Sequence, residues 1–164
     1  MGIFFVLLIH IFVVFFTARR SLLLHFSFIS DLTFYDPEVL CKIQPSKYDC
    51  DEKGLVSAYY YDIKLQDCRS YEFGKCKLNV NQFTSLSDCH NTCRESGIKP
   101  IPKLTPSMYC RLQPDFGNCN SYHPMWYFEL DTRTCRGFSY SGCGGNFNRF
   151  STSKICSDVC QGMV

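Results

Sequence analysis

The stretch Cys110 to Cys160, CRLQPDFGNCNSYHPMWYFELDTRTCRGFSYSGCGGNFNRFSTSKICSDVC, decides the fold. Its six cysteines are separated by 8, 15, 7, 12 and 3 residues, and the stretch Cys41 to Cys93 repeats the series as 8, 17, 7, 12 and 3. Agreement over five intervals with a single two-residue difference marks one unit present twice. Other positions keep the same register: Tyr59, Tyr60 and Tyr61 match Trp126, Tyr127 and Phe128, and Asn81, Phe83 and Ser85 match Asn148, Phe150 and Thr152.

All twelve cysteines of the 164-residue chain fall inside these two stretches. An even set at this density is a disulfide scaffold and implies an oxidising compartment, because cytosolic thiols are kept reduced. Structural zinc favours two-residue gaps with histidine partners. Here the close pairs are three apart and the four histidines are scattered, so neither metal nor cofactor is expected. A net charge of +2 with mixed signs gives no electrostatic footprint for nucleic acid.

Ahead of the repeats lies MGIFFVLLIHIFVVFFTARR, apolar from Ile3 to Phe16 except for His10. That run is short for a bilayer span and suits a secretory signal. Residues 1–30 are therefore read as a signal peptide removed between Ala18 and Ser30, leaving a secreted, extracellular protein with no membrane contact. The apolar SLLLHFSFIS that follows makes a signal anchor the alternative. Residues 94–109 carry prolines at 100, 102 and 106 and read as a stiff linker, spanning at most roughly 50 Å, enough for the repeats to engage separate surfaces.

Within each repeat, residues 58–65 and 126–130 have strand composition, and each is followed by a polar turn and a second aromatic stretch, SYEF or GFSY, which predicts a hairpin. SLSDCHNTC and TSKICSDVC predict short helices with Ser85 and its counterpart as N-caps, and Ser85 with Asp88 resembles a capping box. Two cysteines four apart then share one helical face.

On these residues both repeats resemble the Kunitz family, the fold of bovine pancreatic trypsin inhibitor. The resemblance covers 41–93 and 110–160 and rests on the cysteine intervals, the aromatic WYF, GFSYSGC and GNFNRF. It implies a small disulfide-rich α+β fold, two Kunitz domains each built of a twisted hairpin and a short C-terminal helix. It also implies the pairing Cys41 with Cys93, Cys50 with Cys76, Cys68 with Cys89, Cys110 with Cys160, Cys119 with Cys143, and Cys135 with Cys156. About fifty residues bury too little apolar surface to fold unaided, and each bridge adds about 2 to 4 kcal/mol.

The resemblance further implies that the residue after the second cysteine enters a protease's specificity pocket. In the second repeat this is Asn120, with Asn120-Ser121 as the substrate-like bond and Gly117, Asn118, Tyr122, His123 and Gly142 around it. A loop held in the extended shape a protease binds loses little entropy on docking. Asparagine lacks the charge that makes lysine or arginine a trypsin ligand, so Asn120 fits either a retuned inhibitor or a solvated loop in a repeat that inhibits nothing. Ser141 stands where the family often has glycine.

The first repeat departs further. Its loop DEKGLVSA, Asp51 to Ala58, is two residues longer, the specificity position falls on Asp51 followed by Glu52, and Tyr48 and Lys75 replace loop glycines. A carboxylate suits neither acidic nor apolar pockets. The chain is thus expected to be a monomeric inhibitor of an unidentified serine endopeptidase, acting through the second repeat. The alternative is a non-inhibitory binding module that blocks an ion channel or receptor, for which Arg111 is the only basic residue in the matching stretch. No nucleophile, base and orienting residue suggest an enzyme.

Overall fold

The computed structural model describes residues 35–48, 52–76, 79–101 and 103–162, with side chains from Gly54 onward in the strand that opens at Glu52. The expected signal peptide and Asp51 lie outside the described residues. No helix among the described residues is long and apolar enough to cross a membrane.

The first repeat runs α1 (Pro37–Leu40), β1 (Glu52–Asp62), β2 (Asp67–Lys75) and α2 (Leu86–Ser96). The second runs α3 (Pro106–Tyr109), β3 (His123–Glu129), β4 (Thr134–Tyr140) and α4 (Ser153–Cys160). Each pair of strands is an antiparallel hairpin, in which Tyr60 faces Arg69 and Tyr127 faces Arg136. The caps are those the sequence predicts: Ser85 Oγ accepts from Asp88 N at 3.0 Å, and Thr152 Oγ1 accepts from Ile155 N at 3.1 Å. Phe83 and Phe150 each add one antiparallel bridge to the hairpin, on Tyr59 and Trp126.

The cores are organised around sulfur. Cys41, Cys68, Cys89 and Cys93 cluster with Leu40 and Tyr61, and Cys110, Cys156 and Cys160 with Phe128, Leu130 and Phe150. Bridges join Cys41 to Cys93, Cys68 to Cys89, Cys110 to Cys160, Cys119 to Cys143 and Cys135 to Cys156. Cys76 is disulfide-bonded, while Cys50 lies outside the described residues, and no described cysteine is free.

One buried amide per repeat closes the polar side of each core. Asn148 Nδ2 donates to the carbonyls of Cys110, Leu112 and Phe128, and its Oδ1 accepts from Phe128 N. Asn81 makes the equivalent bonds to Cys41, Ile43 and Tyr61. A side chain thus supplies a donor, in place of water, to buried backbone carbonyls of the segment that starts at the first cysteine.

Three expectations change. The strand of the first repeat begins at Glu52 and ends at Asp62. Most of DEKGLVSA is therefore strand, because the longer segment reaches far enough along β2 to pair with it, Glu52 opposite Lys75 and Leu55 opposite Gly74. The linker is shorter than read, since α2 continues to Ser96 and Pro106 at a first helical position opens α3. Nor are the repeats separate: the described residues from Asp36 on form one compact unit. Ile43 and Leu112 pair antiparallel across the repeats, with Gln44 N donating to Arg111 O and Gln113 N to Lys42 O, both at 2.8 Å. Linker reach is an upper limit, and paired backbone edges bring the repeats closer than it requires.

Asn148→Ala takes the side-chain partner from Cys110 O and Phe128 N, and one of two donors from Leu112 O and Phe128 O, and is expected to cost about 3 kcal/mol. Chemical denaturation with the disulfides intact measures it, and a loss under about 1 kcal/mol would show that the amide is not structural. A second prediction concerns acid. The His90 ring nitrogen 2.8 Å from Asp67 Oδ1, and next the Cys68 N–H, hold the Asp67 carboxyl below its ordinary value. A depressed carboxylate stabilises the fold above its unfolded pKa, and that contribution is lost as pH falls through the folded value. The Tm gap between wild type and Asp67→Asn should therefore shrink between about pH 5 and pH 2, as thermal melts across that range would show.

Candidate functional site

Residues 117–122 of the second repeat form no strand and run over the surface between the interior and β3. Asn118 through Pro124 are exposed, Tyr122 to 74%. Such a loop keeps one shape only if its backbone is tied from behind. The Cys119–Cys143 bridge is one tie, with its Cα atoms 5.4 Å apart. Asn118 N donates to Cys143 O at 3.1 Å, and Ser121 N donates to Ser141 O at 3.0 Å, so both flanks of Asn120 are hydrogen-bonded to the neighbouring segment.

Gly117 makes the crossing possible. A Cβ on it would lie 2.1 Å from Cys143 O, and its φ of +78° is a conformation side chains rarely adopt. Gly142, at φ +105°, faces the His123 ring. His123 opens β3 beside Tyr140, with ring centroids 6.3 Å apart. Tyr140 is in turn fixed by its hydroxyl bond to Gly144 O and by the Arg149 guanidinium 3.8 Å over its ring.

Ser141 turns out to support the loop. Its Oγ accepts from Cys119 N at 3.0 Å, and its own N donates to Phe116 O at 2.8 Å. The hydroxyl thus holds the residue immediately before Asn120. Reading the sequence against a glycine-bearing family marks Ser141 only as a departure, since a hydroxyl's partner is set by the fold.

The first repeat solves the same crossing differently. Tyr48 occupies the place of Gly117, and Gly74 that of Ser141, so the missing side chain has moved to the opposite segment: a Cβ on Gly74 would lie 2.3 Å from Tyr48 O. Gly74 N donates to Ser46 O, four residues before Cys50, whereas Ser141 N donates to a carbonyl three residues before Cys119. The crossing has slipped by one residue. Gly54, at φ +130°, sits in the register shift between Glu52 and Leu55. From Glu52 on, this part of the loop is taken up into the hairpin, with Leu55 and Val56 exposed on it, whereas Gly117 to Tyr122 lie outside the strands of the second repeat. Of the expected site residues, Glu52 lies in a strand, and the six from Gly117 to Tyr122 are brought together with His123 and Gly142.

Gln44 and Gln113 were not legible as site residues, although CKIQP and CRLQP repeat them at the same offset. Both are only 6% exposed.

The family model of the Kunitz/Bovine pancreatic trypsin inhibitor domain matches residues 40–94 and 109–161. Among curated relatives, Amblin from Amblyomma hebraeum is 35% identical over 121 residues, covering 74% of this chain and 68% of its own length. Tissue factor pathway inhibitor 2 from Bos taurus is 32% identical over 121 residues, and this chain spans 48% of it, about half. A solution structure describing the interaction of Ixolaris with Factor X is 26% identical and covers 76% of this chain and 98% of that one, at a TM-score of 0.31. The domain so matched is an inhibitor domain and not an enzyme's. Matched over both repeats, and carrying a hairpin, a C-terminal helix and the bridges that tie them in each, the chain belongs to the Kunitz/bovine pancreatic trypsin inhibitor family.

Proposed function

We propose that this chain is a secreted inhibitor of serine proteases whose second repeat presents Gly117 to His123 as a substrate-like loop with Asn120 at the specificity position. The observation that carries the reading is the combination of exposure at Asn120 with backbone ties on both of its flanks, to Ser141 and Cys143. A loop so held is already in a bound-like shape, loses little entropy on docking, and separates too slowly for cleavage to finish. Secretion is supported by the disulfide frame and by the apolar leader of the sequence.

Asparagine sets the target class. Its amide is too short to reach a carboxylate at the base of a trypsin-like pocket, and in an apolar pocket it forfeits water for about 1 to 3 kcal/mol. The partner is therefore a serine endopeptidase with a small or polar pocket. The channel-blocking alternative draws no support from Arg111, which is partly buried and donates from Nε to Ser107 O at 3.2 Å.

Asn120→Lys in the full chain should gain at least about tenfold in trypsin inhibition, or 1.4 kcal/mol. Inhibition constants measured side by side decide this, and a smaller gain would mean that the loop is not an inhibitory edge. In that lysine background, Ser141→Ala removes the bond to Cys119 N and should weaken inhibition by roughly two- to tenfold. An unchanged constant would show that the disulfide alone holds the loop.

A further inference from the structure

Gln113 lies four residues before Gly117, so one short limb of chain carries both this amide and the loop. All four of its side-chain partners belong to the other repeat. Nε2 donates to Tyr61 O at 2.8 Å, Ile43 O at 3.3 Å and Cys41 O at 3.4 Å, and Oε1 accepts from Ile63 N at 3.2 Å. Those three carbonyls are the ones that Asn81 also uses, each accepting twice with its two lone pairs. Gln44 returns the contact. It donates to Leu112 O and Phe128 O beside Asn148, and accepts from Leu130 N.

Around this exchange each hairpin turn touches the other repeat's limb. The Lys64 ammonium stands 4.9 Å from the Phe116 ring centroid, at the entrance to the second loop. Asp131 accepts from Lys47 N at 2.7 Å and from the Tyr71 hydroxyl, and the Arg133 guanidinium lies 4.6 Å over Tyr48. The first repeat's limb is thus occupied by the second repeat, while the second repeat's limb is gripped up to Phe116 and released as an exposed arc beyond it.

We infer that the first repeat works as an intramolecular clamp, holding the limb from Gln113 to Phe116 and so positioning the Gly117–His123 loop for its protease. The inference rests on reading that loop as inhibitory. If the domains part, the buried Gln113 amide loses all four of these partners, each of the three carbonyls loses one of its two donors and Ile63 N loses its acceptor, so the clamp is closed or costly to open. Fixing one end of the loop lowers the entropy it has left to lose on binding. Gln113 and Lys64 are positioning residues, and neither belongs to the exposed arc itself.

The test uses the full chain with Asn120 in place and needs no protease for its first arm. Amide hydrogen exchange at Asn118, Cys119 and Ser121 should quicken about tenfold in Gln113→Ala, while the amides of Phe128 and Phe150 keep their rates. Lys64→Ala changes only an exposed side chain and carries the test should Gln113→Ala misfold; it should quicken the same three amides, and Lys64→Arg should restore them. The second arm repeats Gln113→Ala and Lys64→Ala in the Asn120→Lys chain, where trypsin inhibition should weaken by at least about threefold. Unchanged loop exchange in both variants overturns the clamp, as does a rise shared equally by Phe128 and Phe150, which a purely structural role would produce. Faster loop exchange with an unchanged inhibition constant overturns the positioning role. If the parent Asn120→Lys chain fails to inhibit trypsin, the reading of the loop falls, and exchange alone decides the clamp.

Discussion

Disulfide bonding is the constraint on which the rest depends. A repeat of about fifty residues cannot offset its chain entropy by apolar burial, and here the sulfur itself occupies the centre of the core. The two helical cysteines of each repeat, one turn apart, tie the helix both to the chain start and to the hairpin. Helix, hairpin and entry segment therefore have one arrangement open to them. The caps, the bridge residues Phe83 and Phe150 and the aromatic pairs refine that arrangement without having to create it.

A core this small leaves backbone close to the interior with little secondary structure to absorb it. Asn81 and Asn148 answer that need by bonding the carbonyls of the first cysteine and of the residue two beyond it. A carbonyl has two lone pairs, and one amide fills only one of them. The glutamines use what remains. Because the unit is present twice, the surface that offers spare acceptors also carries a spare amide, and the two repeats meet through like parts, as in a two-fold symmetric dimer joined into one chain.

The symmetry ends at the loops. In both repeats two segments cross too closely for two side chains, so one side must be glycine: Gly117 in the second repeat, Gly74 in the first. With glycine on the loop side, the loop turns sharply and stands free, and Ser141 can reach Cys119 N. With Tyr48 there instead, and two residues added, the segment slips by one and zips onto β2. One substitution pair and one insertion thereby separate a presented loop from a lengthened hairpin, and Tyr48 becomes a surface on which Arg133 rests.

Much of this was legible in the residues. The cysteine intervals identify the repeat and, through the resemblance they carry, the pairing seen for every described bridge; the matched Asn, Phe and Ser or Thr positions prove to be the buried amide, the bridge residue and the N-cap. These signals are readable because they act over short distances or repeat at fixed offsets. The docking of the repeats was not, although CKIQP and CRLQP display its glutamines, because a glutamine becomes a buried partner only when another chain segment supplies acceptors. Nor was the role of Ser141, whose hydroxyl has no direction until the crossing is formed, or the fate of DEKGLVSA, whose residues suit either a loop or a strand edge. The sequence determined the scaffold through local and covalent preferences; which amide meets which carbonyl, and which loop is free, was decided by tertiary contacts between segments far apart in the chain.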